Sequence, residues 1–175
     1  MKINPGDLVP EIMAQNIHGG EVRVPDNKAK WVHIQFRRFA GCPICNLHLQ
    51  SYVKRSGELK DGGIHEIVFF HSPKESLLPY QGNFPFDVIG DPDKIFYKRF
   101  GVTTSLMALL NPKVWSTLFK ANSEKDKPKG AIEGGPLGLP ADFLINPQGK
   151  VVACHYGTHA YDQWPVDELL RLARN

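Results

Sequence analysis

Three features are scarce in this sequence, and each scarcity excludes a class of protein. No apolar run approaches the roughly 18 residues that cross a membrane, so we expect no membrane contact. Positive and negative side chains nearly balance, with 21 Lys and Arg against 18 Asp and Glu, and no basic stripe is present. A nucleic-acid partner is therefore not expected. Cysteine occurs three times, an odd and small number that does not suit a framework of structural disulfides.

The N-terminal segment also lacks the apolar core of a secretory signal peptide. Residues Met1–Glu11 contain Pro5, Gly6 and Asp7 instead. We therefore expect a cytoplasmic protein. The length of 175 residues and the hydrophobic fraction of 42% predict a single domain over residues 1–175 with a sizeable core.

Two of the three cysteines form a Cys-Pro-Ile-Cys motif at Cys42–Cys45. The apolar run Trp31–Phe36 predicts a strand before the motif, and helical spacing predicts a helix from Pro43 to about Arg55. Cys42 would then cap the helix, where free backbone amides and the helix dipole favour a thiolate. Pro43 suits the first helical position, since no N–H is needed there.

This placement predicts separate roles for the two thiols. Cys42, expected to be the more exposed and more acidic thiol, would attack a disulfide or a peroxide. Cys45, one helical turn further on and expected to be more buried, would resolve the mixed disulfide or the sulfenic acid. Arg37 and Arg38 add positive charge nearby. Because adjacent residues at a strand end point in opposite directions, we expect one of the two arginines to face the thiolate.

A metal site is the alternative explanation for the same thiols. Zinc sites commonly use four Cys or His ligands, and Cys154, His155 and His159 are candidates far along the chain. Because there is no second CxxC motif, redox chemistry is favoured over metal binding. We expect Cys154 to be a small buried side chain, and His155 and His159 to be surface or packing groups.

Strand and helix patterns alternate along the rest of the chain. Ile64–Phe70 has the near-continuous apolar composition of an interior parallel strand. Phe143–Ile145 and Val151–Cys154 predict a hairpin, and Asp167–Arg174 predicts a C-terminal helix. This β-α-β and β-β-α order predicts an α/β protein with three layers, α/β/α, around a central mixed sheet.

Two additions to this plan are predicted. Residues 5–25 would form an N-terminal arm with a hairpin around His18–Gly20. Residues 103–138 would form an insertion before the late hairpin. Its apolar side chains would pack on the domain or on a partner, which leaves a homodimer open. These side chains are Leu106, Leu109, Leu110, Val114, Trp115, Leu118 and Phe119.

The chain resembles the thioredoxin-like superfamily, and within it the peroxiredoxin-like proteins of the alkyl hydroperoxide reductase/thiol-specific antioxidant type that carry a Cys-Pro-x-Cys motif. Residues Pro5–Pro10, Phe36–Cys45 and Gly138–Asn146 are similar to the N-terminal arm, the active-site segment and the segment before the last hairpin of these proteins. The resemblance implies a thioredoxin-like fold with a cis-proline at Pro140, opposite the active cysteine. Such a proline would present the backbone of Leu139 to an extended substrate.

The chain departs from the better-known members of this superfamily at their helper positions. Peroxiredoxins have a Pro-x-x-x-Thr-x-x-Cys pattern and a late arginine, and the corresponding residues here are Gln35, Phe39 and Pro140. Thioredoxins have a buried Asp six residues before the first Cys, where this chain has Phe36. The family's peroxide-positioning set is therefore absent in its usual form.

These considerations predict a thiol–disulfide oxidoreductase or antioxidant redox protein that needs no cofactor. Its substrate would be a disulfide or a peroxide, and its electron donor a dithiol protein or glutathione. Two alternatives remain: a thiol peroxidase in which Arg37 or Arg38 replaces the missing arginine, and a redox-inactive or metal-holding binding module. The predicted site residues are Cys42, Cys45, Arg37, Arg38, Pro43, Leu139 and Pro140.

Overall fold

The computed structural model describes residues 2–104, 133, 135 and 137–174. Within these ranges the strands are β1 (Ile12–Gln15), β2 (Glu21–Val24), β3 (Trp31–Arg37), β4 (Ile64–Phe70), β5 (Asp87–Gly90), β6 (Ala141–Ile145) and β7 (Val151–Tyr156). The helices there are α1 (Pro43–Lys54), α2 (Ser56–Asp61), α3 (Lys74–Gln81), α4 (Ile95–Arg99) and α5 (Val166–Leu172).

Five of the strands form one mixed sheet in the order β5-β4-β3-β6-β7. β3 and β5 run parallel to β4, whereas β6 runs antiparallel to β3 and β7 antiparallel to β6. The parallel connections pass through α1 with α2 and through α3, as in successive β-α-β units. The predicted α/β, thioredoxin-like fold class is confirmed.

The sheet separates two apolar layers because side chains alternate along each strand. In β4, Ile67 and Phe69 belong to the layer that contains the β1-β2 hairpin and Tyr97 of α4. Val68 and Phe70 belong instead to the layer that contains α1 and α3. Both faces of the sheet are thus covered, which explains why β4 reads as a continuous apolar run.

The two predicted additions have different outcomes. β1 and β2 pair as an antiparallel hairpin in the N-terminal arm, as expected. Thr104 and Gly138 form an isolated antiparallel bridge at the two ends of the predicted insertion. The apolar set from Leu106 to Phe119, and the dimer contact that it could form, lie outside the described residues. None of the helices in the described ranges has the length and apolar character needed to span a bilayer.

Candidate active site around Cys42 and Cys45

Cys42 lies at the junction between β3 and α1 and is the N-cap residue of α1. Its backbone is extended (φ −64°, ψ 110°), and Pro43 occupies the start of the helix. The Cys42 Sγ accepts a hydrogen bond from the backbone N–H of Cys45 at 3.3 Å. The predicted position of the first thiol at the helix cap is confirmed, and the second thiol lies one turn away.

One of the two arginines reaches the thiol. Arg38 Nη2 donates to Cys42 Sγ at 3.1 Å, and the Arg38 side chain is almost fully buried. Arg37 is directed elsewhere: its Nη2 donates to Asp142 Oδ1 at 2.6 Å and also contacts Gln35 Oε1. The expectation that one guanidinium faces the sulfur is confirmed, and the structure identifies it as that of Arg38.

The two sulfurs share their ionisation. Burial raises the pKa of Cys42 well above its usual value, and the hydrogen bond and charge of Cys45 raise it further. Burial acts in the same direction on Cys45, but the hydrogen bond from Cys42 and the charges of Arg38 and Arg37 overcome it and lower the pKa to about 6. The pair therefore loses one proton readily and retains the second, so the acidity belongs to the pair.

The expectation that Cys42 is the more exposed thiol is wrong, and the acidity that was expected at Cys42 belongs to the pair. Cys42 is 0% exposed and Cys45 is 2% exposed. Both lie in an apolar cluster with Phe39 and Ala40 of the turn that joins β3 to α1. This turn is closed by the hydrogen bond from Cys42 N–H to the Phe39 carbonyl at 3.0 Å, and its apolar residues exclude water from the sulfurs.

Polar side chains from three other segments hold the β3–α1 turn in place. The N–H of Ala40 donates to Ser72 Oγ at 3.0 Å. The carbonyl of Ala40 accepts from Gln81 Nε2 at 2.8 Å and from Asn46 Nδ2 at 3.1 Å. Sequence reasoning missed these supporting residues, because none of them shows a local pattern that relates it to the CxxC motif.

A buried charged network lies behind the thiols on the α1 side of the sheet. His33 Nδ1 bonds to Glu66 Oε2 at 2.7 Å, Gln35 Nε2 donates to Glu66 Oε1 at 2.6 Å, and Arg37 pairs with Asp142. All five side chains are at most 4% exposed. Sequence reasoning missed this network, although three polar residues at alternate positions of an interior strand were a signal for it.

The network shifts the pKa values of its members. Burial alone would lower the pKa of His33, but Glu66 and Asp142 more than compensate and raise it to about 9. Burial would raise the pKa of Asp142, but the charges and hydrogen bonds of Arg37 and His33 together outweigh this effect and hold that pKa below its usual value. The network therefore holds opposite charges in the buried interior, and each buried charge is stabilised by the opposite charge of its partner.

The cis-proline expected at Pro140 is wrong. The cis peptide bond among the described residues is Val24–Pro25, and Leu139–Pro140 is not cis. The N–H of Leu139 donates to the Thr103 carbonyl at 3.2 Å, and the Pro140 carbonyl accepts from Gly157 N–H at 2.9 Å. Because the chain itself pairs these backbone groups, the Leu139 amide is not available to an extended substrate in this state.

The candidates for a metal site have other partners. Cys154 Sγ donates to the Ile3 carbonyl at 3.5 Å, and His155 Nε2 bonds to Asp162 Oδ1 at 2.8 Å. His159 Nδ1 accepts from Tyr161 N–H at 3.3 Å. In the described part of the chain, no three His, Cys, Asp or Glu side chains converge as a metal site would require. The structure therefore does not bring Cys154, His155 and His159 to the CxxC pair.

Two curated relatives are similar to almost the whole chain. The "Peroxiredoxin" of Ignicoccus hospitalis is 24% identical over 97% of this chain, which spans 64% of the length of that relative. The "Peroxiredoxin-like 2C" of Takifugu rubripes is 25% identical over 94% of this chain and 80% of its own length. The fold is also shared with a solved structure, the peroxidoxin BcpB of Mycobacterium tuberculosis. That structure has a TM-score of 0.72 and 15% identity, with 98% of this chain and 97% of that chain covered.

The sequence profile of the AhpC/TSA antioxidant enzymes matches residues 49–159. The match begins on α1 after both thiols, so the roles of Cys42 and Cys45 depend on their geometry. Together with the peroxiredoxin relatives, this family match confirms the predicted peroxiredoxin-like resemblance. It supports a thiol-dependent redox activity at the level of the family. Because the matched segment extends over more than half of the sequence, the chain belongs to the AhpC/TSA antioxidant enzyme family.

Proposed function

We propose that this protein is a thiol-dependent oxidoreductase in which Cys42 is the nucleophile and Cys45 the resolving thiol. The observation that carries the proposal is the environment of Cys42 Sγ at the α1 N-cap. It accepts from Arg38 Nη2 at 3.1 Å and from Cys45 N–H at 3.3 Å. Two donors and a helix N-terminus stabilise negative charge on that sulfur at the moment when its proton moves to Cys45.

Disulfide exchange on this pair takes two steps. The Cys42 thiolate attacks one sulfur of the substrate disulfide, forms a mixed disulfide and expels the other sulfur as a thiolate. Cys45 then gives its proton to the expelled thiolate, attacks Cys42 Sγ as a thiolate, closes the Cys42–Cys45 disulfide and releases the second substrate sulfur as a thiolate. Two electrons pass to the substrate. A dithiol protein or two molecules of glutathione return them by the reverse exchange.

Peroxide reduction is the second candidate, and the position of Arg38 favours it. In this reaction Cys42 attacks the terminal oxygen of a hydroperoxide, the O–O bond breaks, and an alcohol and a Cys42 sulfenic acid form. Cys45 then condenses with the sulfenic acid and releases water. The guanidinium of Arg38 can stabilise the negative charge that develops on the leaving oxygen, a task that the family's late arginine would otherwise perform.

The burial of both thiols bears on the kind of substrate. A folded protein disulfide cannot contact a sulfur that is 0% exposed without a local opening of the β3–α1 turn. A small peroxide or disulfide requires a smaller opening. We therefore propose small-molecule substrates, turnover without a bound cofactor, and a reducing, cytoplasmic location in which the thiols stay free, as they are in this structure.

Serine variants test these roles. Cys42→Ser should abolish reduction of both a test disulfide and a hydroperoxide. Cys45→Ser should accumulate a mixed disulfide or a Cys42 sulfenic acid, which mass spectrometry detects. Cys154→Ser is the matched control and should retain full activity, because Cys154 Sγ bonds to the Ile3 carbonyl and not to the thiol pair. Full activity in both Cys42→Ser and Cys45→Ser would contradict the proposal.

A further inference from the structure

His65 lies at the start of β4, and each nitrogen of its ring contacts a carboxylate. Its Nδ1 bonds to Asp26 Oδ2 at 3.0 Å and its Nε2 bonds to Asp87 Oδ2 at 2.7 Å. The three side chains are 27%, 22% and 24% exposed. An ionised carboxylate only accepts hydrogen bonds, and a neutral imidazole has a single N–H. Both contacts are therefore hydrogen bonds only when the ring is protonated. We call these three side chains the His65 bridge.

Asp87 connects His65 to the tip of the β1-β2 hairpin. The other oxygen of its carboxylate, Oδ1, accepts from Asn16 Nδ2 at 2.6 Å. Asn16 Oδ1 in turn accepts from the N–H groups of His18 at 3.0 Å and Gly20 at 2.9 Å. The side chain of Asn16 thus orders the turn between β1 and β2, and Asp87 holds that side chain in place.

Asp26 connects His65 to the other end of the hairpin. It lies in the segment that follows β2 and leads into β3. Its second oxygen, Oδ1, accepts from the Lys28 N–H at 2.9 Å, so the carboxylate also orders its own segment. One imidazole is therefore connected to the hairpin at two places, at the tip through Asp87 and after β2 through Asp26.

The hairpin covers apolar parts of the domain. Ile12, Val22 and Val24 are at most 1% exposed and belong to one apolar layer of the sheet. Ile17, at the tip, belongs to the other layer, which contains both thiols. Its N–H donates to the Val88 carbonyl of the outer strand β5 at 2.9 Å. The His65 bridge thus acts on an element that contributes to both layers.

The charges of the His65 bridge favour the protonated ring. The hydrogen bond to Asp87 raises the pKa of His65 above its ordinary value, and Asp26 adds to this effect, whereas burial opposes it less strongly. Burial would raise the pKa of Asp87, but the hydrogen bonds from His65 and Asn16 and the charge of His65 outweigh burial and lower it. The carboxylate is therefore ionised at neutral pH.

The other charged or titratable side chains beside the ring are those that line the same cavity, His18, Lys60 and Glu66. His18 Nε2 bonds to the Gly82 carbonyl at 2.9 Å. Glu66 bonds to His33 and Gln35 in the buried network. Lys60 is an exposed cation of α2 and acts against protonation of His65. The two aspartates that contact the ring directly outweigh it.

We propose that His65 is a pH-sensitive bridge that holds the N-terminal hairpin on the sheet. The protonated ring donates to both carboxylates. As the pH rises through the folded pKa of His65, the ring keeps one N–H, so one carboxylate loses its donor and the two negative charges are no longer compensated. Since the folded pKa is raised, this stabilisation is fully present below the unfolded pKa and is lost above the folded one. The inference is independent of the thiol chemistry.

The titration of His65 is measured by NMR on the ring C–H signals of the reduced protein, with His65→Gln to identify the signal. We expect a midpoint above the ordinary value of 6.5. Asp26→Asn and Asp87→Asn should each lower this midpoint, because each removes a negative charge beside the ring. A midpoint at or below 6.5 in the wild type would overturn the proposal.

Hydrogen exchange tests the hold on the hairpin. Protection of the amides of residues 16–20 or 26–28 should fall about threefold or more between a pH below the His65 midpoint and a pH above it, after correction for intrinsic exchange. Loss in either segment supports the proposal, since the neutral ring can keep either carboxylate. His65→Gln stays neutral and should have the lower protection at both pH values. Unchanged protection of both segments in the wild type would contradict the proposal.

Two controls separate the bridge from general loosening. His159→Gln removes a histidine of another segment and should keep the pH dependence of the wild type. Amides of the central strand β3 report global opening, and an equal loss there would overturn the proposal. The thiols and His33 titrate in both proteins, so their effect cancels when His65→Gln is compared with the wild type. If His65→Gln does not fold, Asp26→Asn replaces it and should have a smaller pH dependence than the wild type. An undiminished pH dependence there would overturn the proposal.

Discussion

At the scale of single residues, Arg38 connects the fold to the chemistry. Its carbonyl accepts from His71, and its guanidinium donates to Cys42 Sγ. Both thiols are buried, and burial alone would keep them protonated. The positive charge of Arg38 is therefore a condition for a thiolate at neutral pH in this site.

We expect Arg38→Gln to raise the pKa at which the thiol pair first ionises. The fraction of thiolate at neutral pH should fall about tenfold or more, because removal of an adjacent opposite charge shifts a pKa by about 1–3 units. The pH dependence of thiolate absorbance in the reduced protein measures this shift, and peroxide or disulfide reduction should slow in parallel.

Two further variants control for non-specific effects. Arg38→Lys keeps the charge and should recover part of the lost ionisation, whereas Arg23→Gln removes an exposed arginine far from the site and should have no effect. An unchanged thiol titration in Arg38→Gln would show that Arg38 does not stabilise the anion.

The sequence predictions for single residues were correct where regular secondary structure sets the position of a side chain. They were wrong where tertiary packing sets its burial. The strand-end rule predicted that one of Arg37 and Arg38 would face the sulfur, but the choice depends on Asp142, which is distant in sequence and binds Arg37. The exposure of Cys42 was mispredicted because the residue is buried in an apolar cluster that includes Phe39 and Ala40. The periodicity of apolar residues in a sequence does not show which side chains will bury a residue in a turn.

At the scale of secondary-structure elements, β3 has two different faces. Val32, Ile34 and Phe36 belong to the apolar layer of the β1-β2 hairpin. His33, Gln35 and Arg37 alternate with them and form the buried network with Glu66 of β4 and Asp142 of β6. The network thus joins three neighbouring strands beneath the helix that carries the thiols.

The raised pKa of His33 predicts a pH-dependent contribution to stability. The pKa is raised to about 9 in the folded protein from the ordinary histidine value of 6.5. A histidine with a raised folded pKa contributes stability that is fully present below its unfolded pKa and is lost as the pH rises through the folded value. The contribution of His33 is about 3 kcal/mol.

We therefore expect His33→Gln to destabilise the protein more at about pH 6 than at about pH 9.5. Urea unfolding of the reduced wild type and of the variant gives the loss of unfolding free energy at each pH. Because the thiols titrate in both proteins, their contribution cancels when the two proteins are compared at the same pH. A loss of unfolding free energy that is the same at both pH values would mean that folding does not raise the pKa of His33.

The elements themselves were largely predictable from the sequence, because strands and helices follow local periods. Ile64–Phe70 was predicted as an interior parallel strand and is β4, paired on both sides. The isomer of the peptide bond before Pro140 was predicted by resemblance alone and was wrong. Supports such as Ser72 and Gln81 were not predictable, since they reach Ala40 from separate segments.

At the scale of the whole molecule, the fold brings the parts of the thiol site to one end of the sheet. The parallel strands β3 and β4 finish there, and α1 begins there with its capping thiol. Membership of the AhpC/TSA family accounts for this architecture. The family's usual peroxide-positioning residues are replaced, and Arg38 occupies the corresponding chemical role in our proposal.

The central claim is that Cys42 and Cys45 form a reversible disulfide, and its reduction potential tests this claim most directly. The wild type and Cys154→Ser should be equilibrated in glutathione buffers of graded potential, with the Cys42–Cys45 disulfide quantified by mass spectrometry. We expect both proteins to give one two-electron transition with a midpoint between roughly −270 and −120 mV. The absence of a Cys42–Cys45 disulfide at every potential, or a disulfide that requires Cys154, would contradict the account.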